Sequence, residues 1–152
     1  MQKMRTIRER KRALRTMIGA RALLQKPSVE WQQGPPNIAH LSTAYSREHL
    51  LALVGQHCAV TAINRIALGR RYDPAGEYVL EQYHPDDLAQ CMVIAEASQR
   101  HPPNFDGGTW ETIPDWNDAR GRTKEQVLDV FTAVVEKLYK SLPEKHRRGF
   151  QI

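Results

Sequence analysis

The pair His57-Cys58 is the first place where the side chains of this sequence could perform chemistry. A cysteine near a helix N-terminus, beside a histidine and a third polar group, is the arrangement by which thiol hydrolases activate a nucleophile. Residues 116–118, or His101, would supply the third group. The competing interpretation, which we favour, places Cys58 in the core, because cysteine is often buried and because adjacent helical residues point in different directions. A small cysteine-dependent hydrolase or transferase is the alternative.

The second group of interest is Trp116-Asn117-Asp118 together with Arg120 and Arg122. Amide, carboxylate and guanidinium groups side by side can bind a polar ligand or a phosphate, and the start of the following helix would assist. In the competing structural interpretation, Trp116 packs into the core while Asn117 and Asp118 bond to nearby backbone groups. We favour the structural interpretation, because Asn and Asp before a capped helix are common turn-forming residues.

The histidines and cysteines show no spacing that is typical of a metal site. The six histidines contain no HxxxH or HExxH pair, and the two cysteines do not form a CxxC pair. No GxSxG sequence is present, and Gly107-Gly108 lacks the strand and helix that flank a phosphate-binding loop. We therefore assign no catalytic residue, no metal and no cofactor, and a non-enzymatic role is the leading interpretation.

Positive charge is concentrated at the N-terminus. The chain has a formal net charge of +5, but residues 1–26 contain nine lysines and arginines against one acid, a net charge of +8. The remaining residues contain 13 basic and 16 acidic side chains, a net charge of −3. This asymmetry predicts an N-terminal segment that contacts an anionic partner.

The basic segment has the pattern of an amphipathic helix over residues 3–25, which ends at Lys26-Pro27. Its arginines recur in steps of three and four residues, so several of them share a face that could follow a phosphate backbone. The predicted partner-binding residues are Arg5, Arg8, Arg10, Lys11, Arg12 and Arg15. Nucleic acid and an acidic protein surface are equal candidates for the partner, and a merely solvated face is the third interpretation. Few aromatic residues lie among the basic ones, which argues against stacking on single strands.

Length and composition predict a single, mainly α domain. The chain has 152 residues, of which 41% are hydrophobic and 26% are charged, close to globular averages. We expect a bundle of four to five helices with a long Trp-containing loop at residues 101–122. The chain divides into a basic N-terminal helix (arm) at 1–26, a helical core domain at 27–142 and a basic, frayed C-terminal tail at 143–152. The predicted core residues are Trp31, Cys58, Ile63, Trp116, Phe131, Val134 and Leu138.

Sequence signals mark the ends of three further helices. An apolar series over residues 50–67 predicts either one helix that runs through Gly55 or two helices divided there, and it ends at Gly69, a typical C-cap residue. Another helix starts at residues 85–87, where acidic side chains favour the positive end of the helix dipole. The last helix starts at a capping box over residues 123–126 and ends before Pro143.

The chain has no feature of a membrane or secreted protein. No apolar run approaches the roughly 18 residues needed to span a bilayer, and no signal peptide is recognisable at the N-terminus. We therefore expect a protein of the cytoplasm. The sequence leaves the oligomeric state open.

Three stretches together resemble an uncharacterised domain family of bacteria and their phages. The stretches are Trp31-Gln32-Gln33-Gly34, His57-Cys58-Ala59-Val60-Thr61-Ala62-Ile63 and a third run that contains Trp116-Asn117-Asp118 and Gly121-Arg122-Thr123. Family members carry Trp-x-Gln-Gly, Trp-Cys-Ala-Leu-Gly-Ala-Leu-like and Trp-Asn-Asp-x-x-Gly-Arg-Thr elements. The resemblance covers residues 13–140, and the chain departs from it at His57, where Trp is usual, and at Thr61, where Gly is usual. The family has no established activity, so the resemblance implies a helical fold and a source but no reaction.

The leading interpretation is a non-enzymatic binding or accessory protein, encoded by a phage or mobile element. It would dock an anionic partner, either nucleic acid or an acidic protein of the host or of the virion, through its basic N-terminal helix. If a phage encodes the chain, as the resemblance implies, the expected location is the cytoplasm of the host or the virion. A phage virion assembly component, whose basic arm lies on a neighbouring subunit, is a further alternative to the cysteine-dependent enzyme.

Overall fold

The structure, a computed structural model, describes residues 5–27, 29–33, 56–71, 86–103 and 108–152. In chain order its elements are α1 (Ile7–Gln25), β1 (Glu30–Trp31), β2 (Gln56–His57), α2 (Ala59–Leu68), a 3-10 turn (Gly69–Arg71), α3 (Asp87–Arg100), α4 (Ile113–Asn117), α5 (Lys124–Ser141) and α6 (Glu144–Arg147). The described part of the chain is mainly helical, which confirms the predicted fold class. Among these residues, no helix has both the length and the apolar character that a bilayer span needs.

The first helix begins later than its apolar pattern predicts. The hydroxyl of Thr6 accepts a hydrogen bond from the backbone N–H of Glu9 at 3.1 Å, and this N-cap starts the helix at Ile7. Arg5 therefore precedes the helix. The predicted end is confirmed, since Lys26 is extended (φ −66°, ψ 134°), as expected of a residue before proline.

Helix α1 lies at the centre of the core. Leu14, Met17 and Leu24 are fully buried, and the helix packs against α2, α3 and α5. Fully burying one such side chain contributes about 1.5–3 kcal/mol to stability. The boundary predicted at residue 26 coincides with a helix end, but the helix before it is part of the core and is not detached from it.

Helix α2 lies against α1 at a glycine. A Cβ atom built on Gly19 would be 2.7 Å from Cγ2 of Ile66, so the two helices approach closely at this point. Strands β1 and β2 pair in parallel, with Trp31 opposite His57. Because β1 follows α1 and β2 precedes α2, this pairing brings the start of α2 to the end of α1.

The central helix is shorter than its apolar series predicts. The series suggested residues 50–67, and the structure has α2 from Ala59 to Leu68. His57 lies in β2 and Cys58 is the N-cap residue, while positions 50 to 55 fall outside the described ranges. The predicted C-cap is confirmed: Gly69 has φ 54°, a backbone conformation that glycine adopts at little cost.

Helices α3 and α5 begin where their sequence signals predict. The carboxylate of Asp86 accepts a hydrogen bond from the N–H of Ala89 at 3.1 Å, which starts α3, and another from the hydroxyl of Thr16 at 2.8 Å, which ties α3 to α1. The capping box of α5 is also confirmed. Thr123 Oγ1 accepts from the N–H of Gln126, and Gln126 Oε1 accepts from the N–H of Thr123.

A buried carboxylate connects α3 with α5. Glu96 is 4% exposed and accepts hydrogen bonds from Arg100 Nε at 2.6 Å and from Lys137 Nζ of α5. Arg100 also bonds to Asp129 of α5. Burial by itself would raise the pKa of Glu96, but the hydrogen bonds from Lys137 and Arg100 lower it below the ordinary value of 4.5.

Glu96→Gln is expected to lower the free energy of unfolding by about 2 kcal/mol near neutral pH, because charge-assisted hydrogen bonds in a buried position are lost. The folded pKa of Glu96 is lowered, so the carboxylate stabilises the fold above its ordinary pKa, and this contribution disappears as the pH falls through the folded value. Urea unfolding at neutral and acidic pH should therefore show a difference from wild type that shrinks on acidification. Glu136→Gln, at an exposed position of α5, is the control. A difference that stays constant with pH would contradict this prediction.

The basic C-terminal tail folds back on the end of α5, so the prediction of a frayed tail is wrong. Arg147 donates from Nε to the backbone oxygen of Leu142 at 2.9 Å and from Nη2 to that of Lys140 at 3.0 Å. Arg10 of α1 donates to the backbone oxygen of Ser141. Two guanidinium groups thus bind carbonyl groups at the C-terminal end of α5, where the helix dipole favours cations.

Six of the seven predicted core residues are buried. They are Cys58, Ile63, Trp116, Phe131, Val134 and Leu138. Trp31 is half-buried, and its indole N–H bonds to the buried Asn117. The long loop predicted at residues 101–122 is interrupted by α4, whose N-cap is Thr112, and this short helix directs Trp116 into the core.

Candidate functional site

The three sequence stretches that carry the family resemblance meet at Asn117. Its Oδ1 accepts hydrogen bonds from Trp31 Nε1 at 2.8 Å and from the backbone N–H of Ala59 at 3.0 Å. Its Nδ2 donates to the backbone oxygen of Gln32 at 3.1 Å and to Asp118 Oδ1 at 2.9 Å. One fully buried amide therefore joins β1, the start of α2 and α4.

Gln33 adds a second connection between the first and third stretches. Its Nε2 donates to the backbone oxygens of Ala119 at 2.7 Å and of Asn117 at 3.2 Å. Sequence reasoning singled out Asn117 but missed Trp31 and Gln33 as its partners. One signal could have identified them: the two stretches occur together in the resemblance, and segments that recur together can be neighbours in the fold.

Arg122 is held against two indole rings. Its guanidinium carbon lies 5.5 Å from the ring centre of Trp116 and 5.6 Å from that of Trp110, within the range of cation–π interactions. Its Nε donates to the backbone oxygen of Trp116 at 3.0 Å, and its Nη1 donates to Gln126 Oε1 at 3.0 Å. Burial lowers the pKa of Arg122 below the ordinary guanidinium value. These contacts give Arg122 a structural role as a cover over Trp116.

A cleft of about 300 Å³ adjoins Arg122. Its walls include His101, Trp110, Arg120, Gly121, Arg122 and Gln126. Of the predicted ligand-binding loop, Arg120 and Arg122 line this cleft, whereas Trp116 and Asn117 are buried and Asp118 bonds to Asn117. Two of the five residues thus line the cleft and three do not, and the contacts of Trp116 and Asn117 are those of the structural interpretation. Within the described ranges, no three His, Cys, Asp or Glu side chains come together to hold a metal ion.

Cys58 is buried at the start of α2. The residue is 6% exposed, and its Sγ lies 3.1 Å from Oγ1 of Thr61. The structure brings Asn117, one of the predicted third groups, to the same helix end, where it accepts a hydrogen bond from the backbone N–H of Ala59. Buried thiols are generally inert. These contacts fit a packed Cys58, and the hydrolase alternative stays a prediction.

Thiol-modifying reagents should distinguish the two cysteines. Cys91 is exposed and Cys58 is buried, so we expect one fast-reacting thiol per native chain. Partial burial and the nearby carboxylate of Asp87 raise the pKa of Cys91, so its reaction should accelerate as the pH rises. Cys91→Ser should remove the fast phase, and Cys58→Ser should leave it. A fast phase that survives Cys91→Ser would reveal a reactive Cys58 and would support the hydrolase alternative.

Three predicted partner-binding residues, Arg5, Arg10 and Lys11, are unsuited to an external partner because they are engaged or half-buried within the fold. Arg5 bonds to Asp87 at 2.9 Å and to Glu9 at 3.4 Å, so two carboxylates neutralise it. Arg10 donates to a backbone carbonyl at the end of α5. Lys11 is half-buried on the side of α1. We therefore do not include these three residues in the candidate surface.

Arg8, Arg12 and Arg15 form an exposed row on α1, which we call the arginine ridge. They follow each other in steps of four and three residues, so they point to one side of the helix. Arg10 lies two residues from Arg8, about 200° around the helix, and contacts α5. Because the core holds the opposite face of α1, the fold fixes the ridge toward solvent.

A family of unknown function, DUF6197, matches residues 8–137 of the chain. No curated protein and no solved structure matches it. The matched range contains the arginine ridge, all the hydrogen-bond partners of Asn117 and most of α5, and it covers most of the 152 residues. The chain therefore belongs to DUF6197, a family of unknown function.

Proposed function

We propose that this protein binds a nucleic-acid duplex through the arginine ridge, as a non-enzymatic accessory protein. One observation carries the proposal: the core buries the apolar face of α1 and leaves Arg8, Arg12 and Arg15 at the surface. Arg8 and Arg15 carry like charges on one exposed face, and the phosphates of an anionic ligand along the ridge would be attracted to both. The resemblance to bacterial and phage domains supports a role in the cytoplasm of a bacterial host, with a phage or mobile element as the source.

The described surface suits a phosphate backbone better than an acidic protein. Specific protein interfaces have apolar and aromatic anchors at their centre. Among the described residues, Ile152 is the one large apolar side chain that is exposed, and it lies at the end of the chain. A phosphate backbone needs only cations, because release of condensed counterions supplies the favourable free energy. Nucleic acid is therefore the partner that the ridge favours.

The ridge also suits a duplex better than a single strand. From Arg8 to Arg15 it extends about 10 Å along the helix axis, about three times the axial rise per base pair of B-DNA, so the ridge can contact more than one phosphate. Single-strand sites add aromatic rings on which bases stack. The aromatic rings of Trp110 and Trp116 are instead engaged by Arg122. A duplex whose backbone follows α1 is the ligand that these features support.

Fluorescence anisotropy with a labelled DNA duplex at low salt tests this proposal. The ridge variant, Arg8→Gln with Arg15→Gln, is expected to bind at least about tenfold more weakly than wild type, because two phosphate contacts are lost. The tail variant, Lys145→Gln with Arg148→Gln, is the matched control. It removes the same charge from exposed positions beyond the end of α5. The end of α5 contacts Arg10, which points away from the ridge.

The tail variant should bind the duplex as wild type does. Equal binding by wild type, ridge variant and tail variant would overturn the proposal. The proposal would also be overturned if the wild-type protein bound polyglutamate tightly and did not bind the duplex, because that result identifies an acidic protein as the partner.

A further inference from the structure

The geometry points to a second set of contacts with the same duplex, made by Arg70 and Arg71 in the 3-10 turn after α2. Both side chains are exposed, and neither was among the residues that the charge pattern of the N-terminus singled out. This inference rests on the proposed function and extends it from one helix to a surface that two elements form.

Helix α2 starts beside the end of α1. Strand β1, which follows α1, pairs in parallel with β2, which precedes α2. The amide of Asn117 holds the same junction, because it bonds both to Trp31 Nε1 and to the backbone N–H of Ala59. The first turn of α2 is therefore fixed near the last turn of α1.

Two turns further on, α2 touches α1 at Gly19. A Cβ atom there would lie 2.7 Å from Cγ2 of Ile66. The start of α2 is about 10 Å from Ile66 along the helix, and Gly19 is about 9 Å from the end of α1. The distance from the start of α2 to Ile66 is thus close to the distance from Gly19 to the end of α1. Both the junction and the Gly19 contact are satisfied when the two helices run in opposite directions. In that arrangement the turn Gly69–Arg71, about one helical turn beyond Ile66, is directed toward the half of α1 that contains Arg15.

Gly19 lies on the same face of α1 as the arginine ridge. Residues 8, 12, 15 and 19 follow each other in steps of four, three and four, which is the spacing of one helical face. A long side chain at position 19 would hold α2 away, and glycine lets the helix cross there. Helix α2 therefore contacts α1 one turn beyond Arg15, and we infer that the arginines at its C-terminal end face the same ligand as the ridge.

The end of α2 carries its arginines at the surface. Gly69, with φ 54°, ends the helix, and Arg70 and Arg71 follow in the exposed turn. The helix dipole favours a cation at such an end by about 0.3–1 kcal/mol, which is a local effect. Two arginines placed near Arg15 add like-charge repulsion, and a phosphate backbone lying on the ridge would neutralise both groups at once.

The salt dependence of duplex binding tests the inference. For a duplex, log affinity falls against log salt with a slope of about −0.9 per phosphate that the protein contacts. The turn variant, Arg70→Gln with Arg71→Gln, should make this slope about 2 units shallower, as the ridge variant does, and the combined variant about 4 units shallower. The tail variant should keep the wild-type slope. All the substituted side chains are exposed, and circular dichroism with urea unfolding checks that each variant remains folded.

The outcomes separate this inference from the proposed function. A turn variant with the wild-type slope, together with a shallower slope for the ridge variant, would show that Arg70 and Arg71 make no contact while the ridge does. Unchanged slopes for both variants would overturn both. A tail variant as shallow as the turn variant would also overturn the inference, because loss of any two charges would then suffice.

Discussion

Asn117→Ala is expected to destabilise the protein by about 3–5 kcal/mol. The substitution removes the acceptor of the buried N–H of Ala59 and of the indole N–H of Trp31, and it removes one donor to the backbone oxygen of Gln32. Each buried group left without a partner costs about 1–3 kcal/mol. Domains of this size have a total stability of only about 5–15 kcal/mol, so the midpoint of urea unfolding should fall sharply.

Asn117→Asp tests the acceptor and the donor of this amide separately. It keeps an acceptor for Ala59 and Trp31, loses the donor to Gln32, and sets a carboxylate beside Asp118. We expect a large loss of stability near neutral pH that decreases on acidification, because burial favours the protonated carboxyl and a protonated carboxyl can donate. An Asn117→Ala variant that loses less than about 1 kcal/mol would show that the amide is not the junction of the three stretches.

Trp116→Ala is expected to have an effect of similar size, about 3–5 kcal/mol, for a different reason. Trp116 is the largest fully buried side chain among the described residues, so alanine leaves a cavity in the core. The substitution also removes one of the two rings over the Arg122 guanidinium. Thermal unfolding should show a correspondingly lower Tm, and a variant as stable as wild type would contradict the placement of this ring in the core.

Substitution by phenylalanine should have different consequences for stability at Trp116 and at Trp31. The buried Nε1 of Trp116 has no hydrogen-bond partner in the described part of the chain, whereas Nε1 of Trp31 donates to Asn117. Trp116→Phe should therefore cost mainly lost volume, clearly less than Trp116→Ala. Trp31→Phe should lower the free energy of unfolding in the wild-type background and much less in the Asn117→Ala background, because the hydrogen bond is already lost there. A double-mutant cycle measures this coupling, and additive costs would contradict it.

Helix ends were the most predictable part of the fold, because they depend on contacts within a few residues. The capping box at Thr123 and Gln126, the glycine cap at Gly69 and the end of α1 before Pro27 are all confirmed. The start of α1 was misplaced for an equally local reason. The apolar pattern continues towards the N-terminus, but the side chain of Thr6 caps the helix first.

Partners that are distant in the chain were not predictable from the charge pattern. Arg5 and Arg10 fit that pattern as well as the ridge does, but they bond to Asp87 and to Ser141, which lie 82 and 131 residues away in sequence. A charge count shows how many cations a segment carries and not which of them the fold uses. The same limit applied to Asn117, for which the sequence favoured a structural role without showing that three stretches meet there.

Residue-resolved modification of arginine, with and without a DNA duplex, tests the ridge most directly. Phenylglyoxal reacts with accessible guanidinium groups, and peptide mass spectrometry gives the rate at each position. A bound duplex should slow the modification of Arg8 and Arg15 several-fold, while Arg148 on the tail reacts as fast as in the unbound protein. Unchanged rates at Arg8 and Arg15 under conditions where the duplex is bound would contradict the central claim, whichever other arginines are protected.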